Sequence, residues 1–349
     1  MTLDALLGRY FVAPPECQEL GPVPLPRLAD RLRHLAADAD LVLAVVPRAY
    51  AAWLGRGYLH VPTLLGFEQR VEPTLAATLA PATATVRRDA RRALDFGYKW
   101  ALSDGLEDFE RFYSDFYQPF VRARFGPLAV VRERHVLRRH FRHGGGIVWL
   151  SRHGLTVAGE LVRRHGGSVE RLVQALAPDL PAPYSHPSPQ AALSIASLQI
   201  AVSAGVAGVG HGGAVPSLRD GAFQAKRAWG ATAHFWDADH RTLLVGWCER
   251  REALQGFLHV NPLVFGAAGR LAAVAAAAPG QAPDLSAVRQ IWRQLVPRGV
   301  GRLFLLGASR WSSHAPDGRS TPEGPLVRCP FVAPIDIVDA ATAVATRTP

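Results

Sequence analysis

Residues 197–236, SLQIAVSAGVAGVGHGGAVPSLRDGAFQAKRAWGATAHFW, decide how the rest of the chain is read. They open on the second half of an apolar helix. Ser188 and Pro189 supply its N-cap and first turn, Leu193, Ile195, Leu198 and Val202 form its apolar face, and Gly205 closes it. VAGVG then reads as a short strand, with His211 to Gly213 as a tight turn. Asp220 caps a two-turn helix that runs through Trp229 and stops at Gly230, and ATAHFW follows as a strand. Helix, strand, helix, strand is the alternation of an α/β protein.

Working upstream, the strands IVWLSR and LTVAGELVRR are joined by a hairpin at His153 and Gly154. A basic helix over 131–143, stopped by the glycines at 144–146, precedes them. Before that, 106–125 places Phe109, Phe112, Tyr113, Phe116 and Phe120 at helical spacing for a buried face. A second basic helix starts at Thr85 and ends near Gly97, with a strand from Tyr98. Nearer the N-terminus the reading gives an extended proline loop at 22–26, a helix over 26–37, a strand over 40–47, and a strand over 59–71 broken by Pro62 and Gly66. Downstream, TLLVGWCE and RLFLLG read as strands, 284–296 as a helix, and the tail from Ser312 as irregular. The alanine-rich run 271–278 is far shorter than the roughly 20 apolar residues that span a bilayer, and is expected to be a helix or a loop.

This order resembles the FemAB-like branch of the GNAT superfamily of acyltransferases. In that family a helix leads through A-x-x-x-G into a short strand ending in a Gly pair, and a helix bearing K-x-x-W-G follows. Here these are Ala201 to Gly205, Gly212 and Gly213, and Lys226, Trp229 and Gly230. Tyr117, Arg124 and Gly126 match the family's aromatic helix ending in Arg before Gly, so the resemblance covers about residues 85–240. The chain departs from the pattern at Ala225, where the family often has Phe, and at His211, where it has Asp before the Gly pair. The resemblance implies an α/β, GNAT-like N-acyltransferase fold with a mixed central sheet flanked by helices. Three segments are expected: an N-terminal α/β segment 1–84, an acyltransferase core 85–240, and a C-terminal extension 241–349. The two ends of the chain are candidates for a second, incomplete GNAT-like unit.

Acyl transfer to an amine needs a deprotonated nucleophile, a stabilised oxyanion and a leaving group that can take a proton. Lys226 is the expected electrophile, because the matching lysine of family members sits near the acyl donor. The chain writes nearly every cation as Arg, with Lys at 99 and 226 alone, which singles these two out. Phe223, Lys226 and Arg227 are neighbours on one short helix, with Trp229 just beyond, and a solvated basic face is the competing account of the cations. His211, past a strand end between glycines, is a candidate base, and Glu160 is the alternative. Tyr117, Arg124, Phe223, Arg227 and Trp229 are the expected substrate contacts. His135, His140 and His143 lack metal-site spacing, and no metal or resident cofactor is expected.

No P-loop or G-x-S-x-G elbow is present, which removes support for P-loop and serine-hydrolase chemistry. The loop that holds coenzyme A pyrophosphate in ordinary GNAT enzymes is also missing from the expected strand-to-helix junction. FemAB-like enzymes that use aminoacyl-tRNA do without it. The expected donor is therefore aminoacyl-tRNA, with acyl-CoA as the alternative, and the acceptor an amine of a small metabolite or peptide-like molecule. A non-catalytic GNAT-like binding protein is the third reading. The balance of 39 basic and 29 acidic residues, net +10, suits a polyanion, although a GC-rich genome produces the same arginine skew. Cys17, Cys248 and Cys329 form no framework, the first residues carry Asp4 and Arg9 and lack the basic start and longer apolar run of a secretory signal, and a cytoplasmic, membrane-free location is expected. The sequence leaves the oligomeric state open.

Overall fold

The computed structural model describes residue 10 and residues 23–54, 58–126, 129–178, 180, 188–236, 240–247, 251–267, 269–278, 285–306 and 338–339. The three cysteines and most of the tail from Ser312 lie outside these. In chain order the elements begin with α1 (Leu25–Asp38), β1 (Leu41–Pro47), α2 (Arg48–Leu54), β2 (Leu59–Pro62), β3 (Leu65–Arg70), α3 (Leu75–Leu79), α4 (Ala84–Asp95) and β4 (Lys99–Ser103). Then come α5 (Leu106–Arg111), a π-helical stretch (Phe112–Tyr117), α6 (Gln118–Phe125), α7 (Arg134–Arg142), β5 (Gly145–Arg152), β6 (Leu155–His165) and β7 (Ser168–Leu176). They are followed by α8 (Pro189–Ser203), β8 (Gly208–Ala214), α9 (Gly221–Ala228), β9 (Thr232–Phe235) and β10 (Arg241–Trp247). Last are α10 (Arg251–Val260), β11 (Leu263–Ala267), β12 (Arg270–Ala276), α11 (Leu285–Leu295), β13 (Val300–Leu306) and β14 (Val338–Asp339).

Two compact units divide the chain. The first comprises 1–65, 214–224 and 234–349, and the second 66–213 and 225–233. The sequence reading drew a boundary near residue 85. The division falls at Leu65 and Gly66 instead, because α3 and α4 pack against α8. The first unit joins both ends of the chain. It carries a three-stranded sheet in the order β1-β10-β2 and a four-stranded sheet β11-β12-β13-β14, around a core that includes Val61, Leu243, Val245, Leu258, Leu263 and Val274. The run at 271–278, expected as a helix or loop, is mostly strand β12. Its alanines are small enough for close approach on both faces, and the strand pairs on both edges with β11 and β13.

The second unit is built on a mixed seven-stranded sheet, β4-β5-β6-β7-β8-β3-β9, flanked by helices. Period-two alternation in β5 shows how it is sandwiched. Val148 and Leu150 pack into one cluster with Ala90 and Ala93 of α4 and Leu193 and Leu198 of α8. Ile147 and Trp149 face a second cluster made by Phe109, Phe112, Phe116, Leu137 and Phe141. The expected aromatic helix is thus core, as its spacing indicated, but its middle turn is π-helical. The β5–β6 hairpin turns where the sequence placed it, with His153 at φ 50° and Gly154 at φ 78°.

Three local expectations change. Ser188 makes no side-chain cap to α8, whose start is set by Pro189 in its first turn. Gly66 lies inside β3, so Pro62 alone ends the preceding strand there. His211 to Gly213 are part of β8, since His211 points its ring into the buried interior and Gly212 takes up the bend at φ 68°.

Candidate active site

The site grows from the middle strands of the second unit. β6 and β7 pair antiparallel with Glu160 opposite Gln174, and the register shifts so that Val162 faces Arg171, skipping Leu172. An uninterrupted alternation would send Arg171 to the aromatic face. The bulge re-aims it to the α8 face, beside Glu160. There Arg171 Nε donates to Glu160 Oε1 at 2.9 Å, and Ser197 Oγ donates to Glu160 Oε2 at 2.5 Å. One turn earlier on α8, Ser194 Oγ accepts from Arg171 Nη2 at 2.8 Å and donates to the Gln190 carbonyl at 2.9 Å.

The network continues into β8 and β3. Arg171 Nη1 and His211 Nδ1 are 3.0 Å apart, and His211 Nε2 and Gln69 Oε1 are 3.0 Å apart. A guanidinium has only donors, so Nδ1 must accept and the imidazole proton sits on Nε2, pointing at Gln69. Gln69 Nε2 in turn donates to the Thr78 carbonyl at 2.9 Å, which fixes that amide's orientation. Burial, then the Arg171 charge, then the Lys226 charge hold His211 well below the ordinary histidine range, so it is neutral near pH 7. Glu160, 2% exposed, is pushed upward by burial, against the opposing pull of Arg171 and Ser197.

β7 and β8 run parallel, and their ladder covers Ser168 to Glu170 against Gly208 to Gly210. Immediately past it, Arg171 and His211 are joined through side chains instead of backbone. Further along β8, the carbonyl of Gly213 accepts from Lys226 Nζ, which also lies 5.6 Å from the ring centre of Phe67 on β3. The ammonium is therefore held at the far end of β8, close enough to His211 to depress its basicity.

Of the residues singled out from sequence, the structure brings together His211, Lys226 and, through Arg171, Glu160. Arg227 and Trp229 are half-buried nearby in sequence, Trp229 packing on the α8-side cluster. Tyr117 belongs to the opposite-face aromatic cluster, where its hydroxyl accepts from the Arg132 amide at 3.0 Å. Arg124 is exposed and lies over Phe120 and Phe125. Phe223 is fully buried in the first unit, its amide donating to Asp220 Oδ1 at 2.9 Å as the cap reading required. His140 Nδ1 faces Arg163 Nη1 at 2.8 Å and His143 Nδ1 the Arg139 carbonyl at 2.7 Å, so both rings are turned to protein partners. Among the described residues no cluster of three metal-ligating side chains occurs, and no helix is long and apolar enough to cross a membrane.

Sequence reading missed Arg171, Gln69, Ser194 and Ser197. Arg171 was out of reach because β7 itself was not read. The signal was present: Gly166 and Gly167 form a two-glycine hairpin turn between two β-type runs, with φ of 54° and 81°.

No family model and no curated protein matches the chain. Solved structures resemble it distantly. FemX aligns at 13% identity over 63% of this chain and 76% of that one, with a TM-score of 0.43. L-PGS from Bacillus licheniformis aligns at 15% identity over 64% and 72%, TM-score 0.37. A GCN5-related N-acetyltransferase from Kribbella flavida aligns at 10% identity over 80% and 61%, TM-score 0.28. At such overlap they carry no argument, and the chemistry is built below on the site's own atoms.

Proposed function

We propose that the chain is an acyltransferase that passes an activated acyl group, an aminoacyl group carried by aminoacyl-tRNA, to an amine of a small metabolite or peptide-like acceptor. The observation that carries this reading is the Lys226 ammonium, fastened to the Gly213 carbonyl at the end of β8 beyond a parallel ladder that pairs only at Ser168–Glu170. A fixed cation at such a strand end suits the oxyanion that forms when an amine nitrogen attacks an ester carbonyl. The new C–N bond forms, the C–O bond to the carrier breaks, and the proton shed by nitrogen ends on the departing oxygen. In the observed wiring His211 spends its lone pair on Arg171, so its part is to hold Gln69 and Arg171 in place while adding no charge beside Lys226. The net charge of +10 favours a polyanionic donor over a neutral one.

A donor screen tests this: purified protein with labelled aminoacyl-tRNA pools, with and without RNase, beside acyl-CoA thioesters. RNase-sensitive engagement that weakens in Lys226→Ala supports aminoacyl transfer, and thioester binding alone replaces tRNA with coenzyme A as donor. One observation favours a second, non-catalytic reading. Glu160 and His211 are buried and committed to protein partners, as in a scaffold whose former site is filled by its own side chains. Loss of all donor engagement in the screen would select it.

A further inference from the structure

β4 is an end strand of the seven-stranded sheet, and among the described residues only β5 pairs with it. Edge strands are ordinarily blunted by proline, bulges or charge. β4 has no proline, keeps an unbroken register with β5, and carries one charge, Lys99, at its first position. Lys99 to Leu102 are exposed and Ser103 is half-buried. Register settles what the edge presents. Trp100 lies opposite Leu150 and Leu102 opposite Val148, so both belong to the α8 face of the sheet. They are 40% and 52% exposed there, and the Trp100 indole is oriented by donating to Gln199 Oε1 on α8 at 2.8 Å. Charge also runs along the edge. Lys99 opens it, and the exposed Asp104 and Glu107 follow its end, Glu107 in the first turn of α5. Asp108 in the same turn is already engaged, with Ser103 Oγ at 2.5 Å and the Trp149 indole at 3.0 Å. Among the described residues no ion pair engages Lys99, Asp104 or Glu107.

We propose that β4 pairs with β4 of a second copy of this chain, antiparallel about a two-fold axis at Ala101, joining the two sheets into one. A two-fold interface requires a surface complementary to itself, and this edge meets the requirement. With Ala101 opposite its own copy, Trp100 of each chain faces Leu102 of the other on the α8 face, an aromatic–aliphatic pair made twice. Lys99 faces Ser103 of the other copy, next to its Asp104, so the basic end of each strand meets the acidic end of its mate. Parallel pairing would instead set like charges side by side. Five residues bury less than the about 800 Å² per partner of a standard interface, so the dimer is weak and exchanges with monomer. The edge lies apart from the residues of the acyl-transfer reading and does not depend on it.

Sedimentation velocity of the full chain over a concentration series, with no acyl donor present, tests it. The expected result is a reversible monomer–dimer equilibrium with a dissociation constant at or below about 100 µM. Ala101 is exposed, so the fold should accept a charge there, and on the axis that charge meets itself. Ala101→Lys and Ala101→Glu should each weaken the dimer tenfold or more, and an equimolar mixture of the two should restore it as a heterodimer. Leu102→Ser removes the apolar pair without adding charge, should weaken the dimer severalfold, and serves if a charged variant does not fold. Amide hydrogen exchange over 99–103 should slow as the concentration rises. A chain that stays monomeric at about 100 µM overturns the proposal. So does protection of the edge that is independent of concentration, which would mean that the chain's own residues cover it. A dimer that both Ala101 variants leave intact, or a mixture of them that fails to restore it, overturns the two-fold pairing at Ala101 as well.

Discussion

Arg171 donates from Nη1 to Nδ1 of His211 across 3.0 Å, and this bond sets the protonation of the imidazole. The histidine must be neutral to accept it, and its other nitrogen must then donate to Gln69. A protonated His211 would place a third positive charge between Arg171 and Lys226, with Glu160 the carboxylate of the network.

That arrangement makes stability depend on pH with a definite sign. The folded pKa of His211 lies well below its ordinary value of 6.5, so in the interval between them the unfolded chain binds a proton that the native one refuses. His211 therefore stabilises the fold above about pH 6.5, and that contribution is lost as pH falls toward its folded pKa. Glu160 acts in the opposite sense, since its raised pKa lets the native state keep a proton the unfolded state has lost. Melting of the second unit should fall between pH 7 and 5, and His211→Asn should flatten the slope. The slope that remains combines His140, which is also depressed by burial and by Arg163, with the opposite contribution of Glu160. A slope unchanged in His211→Asn would mean that the ring is not held neutral by these contacts.

The Glu160–Arg171 pair gives a second prediction. Removing one partner of a buried pair leaves the other charge uncompensated, at a cost of about 3–5 kcal/mol, whereas replacing both with apolar residues of similar size is often neutral. Glu160→Leu should be severely destabilised, and Glu160→Leu with Arg171→Met should recover most of the loss. Hydrogen exchange in β6 and β7 reads the effect locally, which matters in a chain of two compact units where global unfolding need not be two-state. A double variant as weak as the single one would show that specific geometry, not charge balance, holds this layer.

Much of the second unit was legible because its elements announce themselves locally. β5 alternates, the aromatic helix repeats at helical spacing, and Gly205, Gly212 and Gly230 mark left-handed backbone at φ of 60°, 68° and 80°. The charged layer was not legible, because it is assembled from four separate elements. Glu160 is in β6, Arg171 in β7, His211 in β8 and Gln69 in β3, and only the β7 bulge puts Arg171 on their face. The bulge also spoils the alternation around Leu172 and Val173 that would have revealed the strand. In the first unit, the alanines of β12 lack the β-branched signature of a strand, and pairing on both edges overrides their propensity.

Gly230, one of the glycines of the resemblance, and Gly208, which is not, make different demands on the backbone. Gly230, which follows Trp229, has φ 80°, and a Cβ there would sit 2.8 Å from the Pro81 carbonyl carbon. Gly208 has an ordinary φ, and the nearest atoms a Cβ would meet belong to the exposed end of Glu68, which can swing away. Gly230→Ala should cost more than about 1 kcal/mol, from backbone strain plus a backbone clash, and Gly208→Ala should cost little. Urea midpoints of the two variants decide the matter, and equal losses would remove the structural explanation for Gly230.

Lys226 is where structure and reaction can be told apart most cleanly. Its side chain is half-buried and bonds the Gly213 carbonyl, so Lys226→Ala gives up that charge-assisted hydrogen bond, worth about 1.5–3 kcal/mol, along with the ammonium's place beside the Phe67 ring, and opens the carbonyl to water. The fold should survive with a modest fall in melting temperature. If the ammonium stabilises the oxyanion, transfer should fall by about 10²–10³, the range seen when a single such donor is removed. Lys226→Arg keeps the charge but replaces a point-like ammonium with a broad planar fork. It should melt like the parent and recover only part of the rate. Single-turnover transfer from labelled donor, with donor affinity measured in parallel, distinguishes the roles. A loss confined to affinity would make Lys226 a binder of the donor's phosphates, and an unchanged rate and affinity in Lys226→Ala would reduce it to a strap on the end of β8.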